Sequence, residues 1–99
     1  MDIRWRNFVW DDDKARANLR NHHVSFKEAA WATYDPHAII GEDELHSKSE
    51  WRQWLLGQSP RKRILLVIFT KEEENFTRII SAWKASKEDL ILYDEEIIR

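Results

Sequence analysis

The chain has no cysteine. That excludes a disulfide framework, a thiolate metal site and a cysteine nucleophile, and it suits a reducing compartment. Only two glycines and two prolines occur in 99 residues, so a glycine-rich phosphate loop cannot be built and long flexible linkers are not expected. The longest apolar run, Ile64 to Phe69, is too short to cross a bilayer. The start, Met1-Asp2-Ile3-Arg4, carries no apolar signal region. These absences lead us to expect a cytoplasmic protein with no membrane association. No serine sits in a nucleophile elbow either. Most common hydrolase, kinase and dinucleotide chemistries are thereby set aside.

What is present is charge and tryptophan. Sixteen Lys and Arg face eighteen Asp and Glu, for a net charge of −2, without the basic surplus usual in nucleic-acid binders. The charges are segregated, however. Asp11 to Asp13, Glu42 to Glu44 and Glu72 to Glu74 are acidic, whereas Arg61-Lys62-Arg63 is basic. Segregation allows one basic face on an acidic protein, although each run alone reads as a solvated turn. Six tryptophans occur, at 5, 10, 31, 51, 54 and 83. Each large ring must be buried or must cover a partner surface.

The length favours one domain over residues 1–99. The apolar-aromatic stretch Trp5 to Trp10 reads as a first strand. Asp11 is placed to cap a helix running to about Asn21, with Ala15, Leu19 and His22 on one stripe. Ser25-Phe26-Lys27-Glu28 reads as a capping box opening a second helix, which Asp35-Pro36 ends. A brief strand over 37–41 and a polar loop from Glu42 to Lys48 follow. Glu50 to Leu56, the almost continuously apolar Arg63 to Thr70, and Phe76 to Trp83 read as strands. Gly57 to Lys62 and Lys71 to Asn75 are the turns between them. Ser86 caps a last helix with Leu90, Tyr93 and Ile97 at helical spacing. The class is α+β: a small, mostly antiparallel sheet with two N-terminal helices and a C-terminal helix.

A metal site finds no support in these residues. His22 and His23 are adjacent, so on a helix they point about 100° apart. His37 and His46 fall in loops, and no HExxH spacing occurs. No metal and no cofactor is expected. What remains is cationic and imidazole chemistry: Lys14 and His22 on the first helix, Arg52 and Arg78 on strands, Lys84 and Lys87 where the last strand meets the last helix. Cleavage of an RNA phosphodiester needs a group to take the 2′-hydroxyl proton, a group to protonate the leaving oxygen, and cations for the charge on phosphorus. The planar fork of arginine matches phosphate oxygens. Each residue also has a structural reading. Strict alternation puts Phe76, Arg78, Ile80 and Ala82 on one face, opposite Thr77, Ile79, Ser81 and Trp83. Arg78 then reads as a core-edge arginine paired to a carboxylate, Arg52 as a partner of Glu50, His22 as a cation closing its helix, and Lys14 as solvated.

Phe8-Val9-Trp10-Asp11, Lys14, Asn18, Arg20, His22, Val24-Ser25-Phe26 and Glu28-Ala29 resemble the opening signature of BrnT toxins. Glu50-Trp51-Arg52 with Gly57, the run Ile64 to Thr70, Arg78-Ile79-Ile80-Ser81-Ala82, Lys84-Ala85 and Glu88 resemble the family's later strands and helix entry. The resemblance implies a RelE-like fold and the toxin half of a type II toxin–antitoxin pair. It implies metal-independent RNA cleavage that slows translation and growth. It also implies a BrnA-like ribbon-helix-helix antitoxin as partner, through which alone operator DNA would be reached. On this resemblance Lys14, His22, Arg52 and Arg78 are the candidate catalytic residues. Arg52 and Arg78 would hold the phosphate while His22 or Lys14 handles protons; Lys84, Lys87 and Arg63 would contact RNA. Three features depart from the family pattern. Trp83 stands where a second arginine is usual, His23 where a glycine is common, and the net charge is acidic. They keep a second function in view, a catalytically weak or silent binding partner and co-repressor of a DNA-binding antitoxin. The strand of Trp51 and Trp54, together with Ile97-Ile98, is the apolar area such a partner would cover, with Trp54 the more easily read as ordinary core.

Overall fold

The aromatic stretch predicted as one strand is a hairpin. In the computed structural model, which describes residues 1–43 and 51–98 with side chains to Glu95, β1 (Asp2–Trp5) and β2 (Phe8–Asp11) pair antiparallel with Trp5 opposite Phe8. Arg6 makes the turn at φ 55°. No glycine or proline marks it, and Asn7 is its one turn-forming residue, so the sequence carries little of the usual hairpin punctuation. Of the predicted Glu42 to Lys48 loop, Glu42 instead ends a strand; residues 44–48 with His46, Glu50 and the side chains of Ile97-Ile98 lie outside the described residues.

Helix α1 (Asp12–His22) starts where expected, with the Asp11 carboxylate accepting from the Lys14 amide at 3.0 Å. It ends at His23 in the left-handed region, φ 58° and ψ 30°. The glycine-type terminus is therefore kept without the glycine, at a steric cost. Helix α2 (Phe26–Ala32) is capped by Ser25, whose hydroxyl accepts from the Glu28 amide at 3.0 Å. The predicted box is only half made, because the Glu28 carboxylate turns to Ser59 and Arg63 instead. The reciprocal box is at α3 (Lys87–Ile98), where Ser86 and Asp89 each accept the other's amide at 3.1 Å. The predicted α1 stripe is also corrected. Leu19 is 51% exposed, and the residue α1 buries is Asn18.

The remaining strands are β3 (Ile39–Glu42), β4 (Arg52–Gln58), β5 (Ile64–Lys71) and β6 (Thr77–Lys84). The α+β class with three helices holds, but the sheet is six-stranded and mixed rather than small and mostly antiparallel. Its order is β1-β2-β6-β5-β4-β3, and β2 runs parallel to β6, with Phe8 beside Thr77 and Val9 beside Arg78. The sequence contains no local signal for this, because the pairing joins the first hairpin to the last strand. Helices α1 and α2 cover one face, burying Phe8, Trp10, Phe26, Leu65, Val67 and Ile79. At Gly57 a Cβ would lie 2.3 Å from the Ala32 carbonyl oxygen, so α2 rests directly on the backbone of β4. Among the described residues, no helix is long and apolar enough to cross a membrane.

Strict alternation along β6 fails. Ile68 pairs with Ser81 but Phe69 pairs with Ile79, which leaves Ile80 as an extra residue in a bulge. Ile79 and Ala82 therefore both join the helix-side core. Arg78 moves to the opposite face, the one that carries Ser81 and Trp83.

Two buried polar side chains hold this arrangement. After Asp11 the chain leaves the sheet as α1, and the second half of β6 loses its neighbour. Asn18 takes that place. Its Nδ2 donates to the Ala82 carbonyl at 2.8 Å and to the Val24 carbonyl at 2.9 Å, and its Oδ1 accepts from the Ala82 amide at 3.1 Å. Glu28 is the second. Its carboxylate accepts from Ser59 Oγ at 2.7 Å and Arg63 Nε at 2.9 Å, and Arg63 also donates to the His23 carbonyl at 2.9 Å. Burial pushes the Glu28 carboxyl up, but the bonds from Arg63 and Ser59 outweigh burial and hold it below the usual carboxylate value.

Replacing Asn18 by leucine strands the Ala82 amide and carbonyl beside an apolar group. We expect a loss of about 3 kcal/mol in denaturant unfolding. For Glu28 the unfolded chain binds the proton more tightly than the folded one. Its contribution is therefore complete above the ordinary value of 4.5 and is lost as pH falls through the lower folded value. Unfolding free energy measured against pH should drop on acidification below about 4.5, and less steeply in Glu28→Gln.

Candidate functional site

Cross-strand neighbours share a face. The register sets Arg52, Thr70 and Arg78 side by side, then Trp54, Ile68 and Ser81, then Leu56, Leu66 and Trp83. These rows form the face turned away from α1 and α2. Helix α3 crosses it beside β4, fastened by Tyr93, whose hydroxyl donates to the Asp35 carboxylate. Asp35 also accepts from the amides of Gln58 at 2.8 Å and His37 at 2.9 Å. Burial pushes the Asp35 carboxyl up, and these bonds, led by Tyr93, bring it below its ordinary value. Burial and the Asp35 charge push the Tyr93 phenol up.

Between α3 and the strands lies a trough of about 360 Å³. Arg52, Trp54, Leu66, Ile68, Ser81 and Trp83 form its floor and ends, with Asp43, Asp89 and Leu92 along the rim. Trp54 is thus a wall of the trough rather than ordinary core. Its indole lies across Gly41, where a Cβ would come within 2.3 Å of the ring. Trp83 closes the far end. Beyond Trp83 a second hollow is lined by Asn21, His22, His23 and Lys84. The His22 ring centre is 5.8 Å from that of Trp83, tilted by 42°. His22 is there because Asn18, one helical turn earlier, is fastened to Ala82, the neighbour of Trp83.

The structure brings Arg52 and His22 to the two ends of one surface, with Trp83 between them. It does not gather all four candidate catalytic residues. Arg78 lies on the Arg52 face but is held by two carboxylates, Glu72 at 2.5 Å from Nε and Asp2 at 2.8 Å from Nη2. The bond to Arg78 lowers the Asp2 carboxyl below its usual value, and the guanidinium is held more firmly charged. Lys14 is exposed in the first turn of α1, about 12 Å along the axis from His22. Of the RNA-contact candidates, Lys84 is exposed beside His22 and Lys87 is exposed at the start of α3, whereas Arg63 is turned to Glu28. Among the described residues, no group of three or more His, Asp or Glu side chains is placed to hold a metal ion. Sequence reasoning missed the part played by Asn18. An uncapped asparagine inside an amphipathic helix was the available signal.

A family model described as "Ribonuclease toxin, BrnT, of type II toxin-antitoxin system" matches residues 10–89. Among solved structures, the crystal structure of the Brucella abortus ribonuclease toxin, BrnT, is similar in fold. It has a TM-score of 0.60 and 22% sequence identity, over 79% of this chain and 94% of that chain. No curated protein matches the chain in sequence.

Gly41→Ala tests the trough wall. The added methyl group collides with the Trp54 indole, so the ring must leave its place. We expect a loss of about 1–3 kcal/mol in unfolding free energy, with altered tryptophan emission in the folded protein.

Proposed function

The chain belongs to the family of BrnT ribonuclease toxins of type II toxin–antitoxin systems, and on that premise we propose that it is an endoribonuclease acting along the surface from Arg52 through Trp83 to His22. The observation that carries this reading is the position of Trp83. It walls both the trough that holds Arg52 and the hollow that holds His22. A single strand laid on this surface meets a guanidinium, aromatic area for a base, and an imidazole in turn. Arg52 neutralises the phosphate. The 2′-hydroxyl gives up its proton to a base, its oxygen attacks phosphorus, and the bond to the 5′-oxygen breaks as that oxygen gains a proton. His22 is the proton-handling group nearest the trough, and Lys14 is the other candidate. No step requires a metal. The same reading makes the fold kin to the RelE-type toxins. A BrnA-like ribbon-helix-helix antitoxin, through which operator DNA is reached, neutralises the activity in the cytoplasm.

The state of Arg78 favours a second reading. To take a phosphate it must first release Asp2 or Glu72. A protein in which this cation stays engaged, and in which Trp83 replaces another, fits a weak or silent toxin that serves as co-repressor with its antitoxin.

Purified protein and an RNA substrate separate the two. On the first reading Arg52→Ala and His22→Ala each lower cleavage by about 10²-fold or more with unchanged melting temperatures. Wild-type cleavage by Arg52→Ala would remove Arg52 from the site. A wild-type protein that binds its antitoxin tightly yet cleaves nothing establishes the second reading.

A further inference from the structure

On the helix-bearing side, away from the trough, cations and aromatic rings alternate. Trp5 ends β1 and packs edge-on against Trp31 of α2, ring centres 5.5 Å apart. Arg6, at the tip of the hairpin, lies over both rings, 5.0 Å from the centre of Trp5 and 4.7 Å from that of Trp31. Lys27 Nζ sits 5.4 Å from the Trp5 ring. Tyr34 extends the row, 5.6 Å from Trp31. Lys27, Trp31 and Tyr34 follow one another at helical spacing, so a single stripe of α2 and the turn beyond it faces the hairpin tip. Trp31 is 36% exposed and Tyr34 is 49% exposed, while Arg6 and Lys27 are exposed.

The charge of this patch is uncompensated by its own segments. Glu28 is turned inward to Arg63 and Ser59. Asp35 is turned to Tyr93, Gln58 and His37. Two exposed cations thus stand among aromatic rings with the nearby carboxylates directed elsewhere. The rings stiffen the cations, which lowers the entropy lost when an anion pairs with them.

We infer that this ladder is a docking surface for an acidic segment of a protein partner. Carboxylates would meet Arg6 and Lys27, and apolar side chains between them would cover Trp31 and Tyr34. Tryptophan, tyrosine and arginine are the residues that dominate binding energy at protein interfaces. RNA fits less well. Arg6 and Lys27 already stand over the Trp5 ring, and Arg6 stands over Trp31 as well, which leaves Tyr34 as the one ring of the ladder with no cation over it, too little for a run of stacked bases.

The test uses the full chain, titrated calorimetrically with a short peptide of alternating glutamate and leucine. Its lysine–leucine counterpart and oligouridylate serve as controls. The acidic peptide should bind saturably and weaken with salt, and the lysine peptide should not bind. Neutralising both cations, Arg6→Gln with Lys27→Gln, should lower affinity about tenfold while the melting temperature holds. Three results would each overturn the inference: no saturable binding of the acidic peptide, equal affinity in the doubly substituted protein, or displacement of the peptide by oligouridylate. The last would assign the ladder to RNA.

Discussion

The clamp of Asn18 on Ala82 is the interaction on which the rest depends. A sheet that loses a strand partway along leaves unpaired amides and carbonyls, and burying them unpaired is costly. Here β2 departs after Asp11, and the side-chain amide of Asn18 supplies the donor and acceptor that a strand would have supplied. Asparagine suits this role because its side chain has the same pair of groups as a peptide unit. The clamp brings α1 against the middle of the sheet. It thereby sets His22 against Trp83 and closes the far side of the site.

The two faces of the sheet are fastened by different chemistry. The helix side is an apolar core in which α2 approaches so closely that β4 needs a glycine at 57. The other face is assembled from paired charges and aromatic walls. Arg78 joins β1, β6 and the turn before β6 through Asp2 and Glu72. Asp35 joins the end of α2, β4 and α3. The trough is what lies between these two polar ties.

Much of the architecture was legible where a local rule operates. Asp11, Ser25 and Ser86 announce helix starts because a side-chain oxygen satisfies a free amide within three residues. The apolar run in β5 announces a central strand. What could not be read depends on distant partners. The parallel pairing of β2 with β6 has no local mark, and the hairpin turn has only Asn7, its positive φ falling on Arg6, a residue that seldom takes one. The bulge at Ile80 is silent because Ile79 and Ile80 are the same residue type. It changed the site most, since it carried Arg78 across to the face of Trp83. Glu28 looked like half of a capping box, but a half-buried arginine outcompeted the free amide for its carboxylate. The family resemblance pointed to the candidate residues; only the fold separated those that share a surface from Lys14, which stands apart.

The span of the clamp bears on when this protein can exist in its finished form. Asn18 and Ala82 are separated by 64 positions, and Arg78 and Asp2 by 76. A ribosome releases the hairpin and α1 long before β6 is made, and until then their sheet-facing groups have nothing to grip. Closing such long loops is also slow relative to forming local turns. The surface that joins Arg52 to His22 is therefore among the last features to appear. Until β6 is made, a growing chain has Arg52 and His22 but not the surface that joins them.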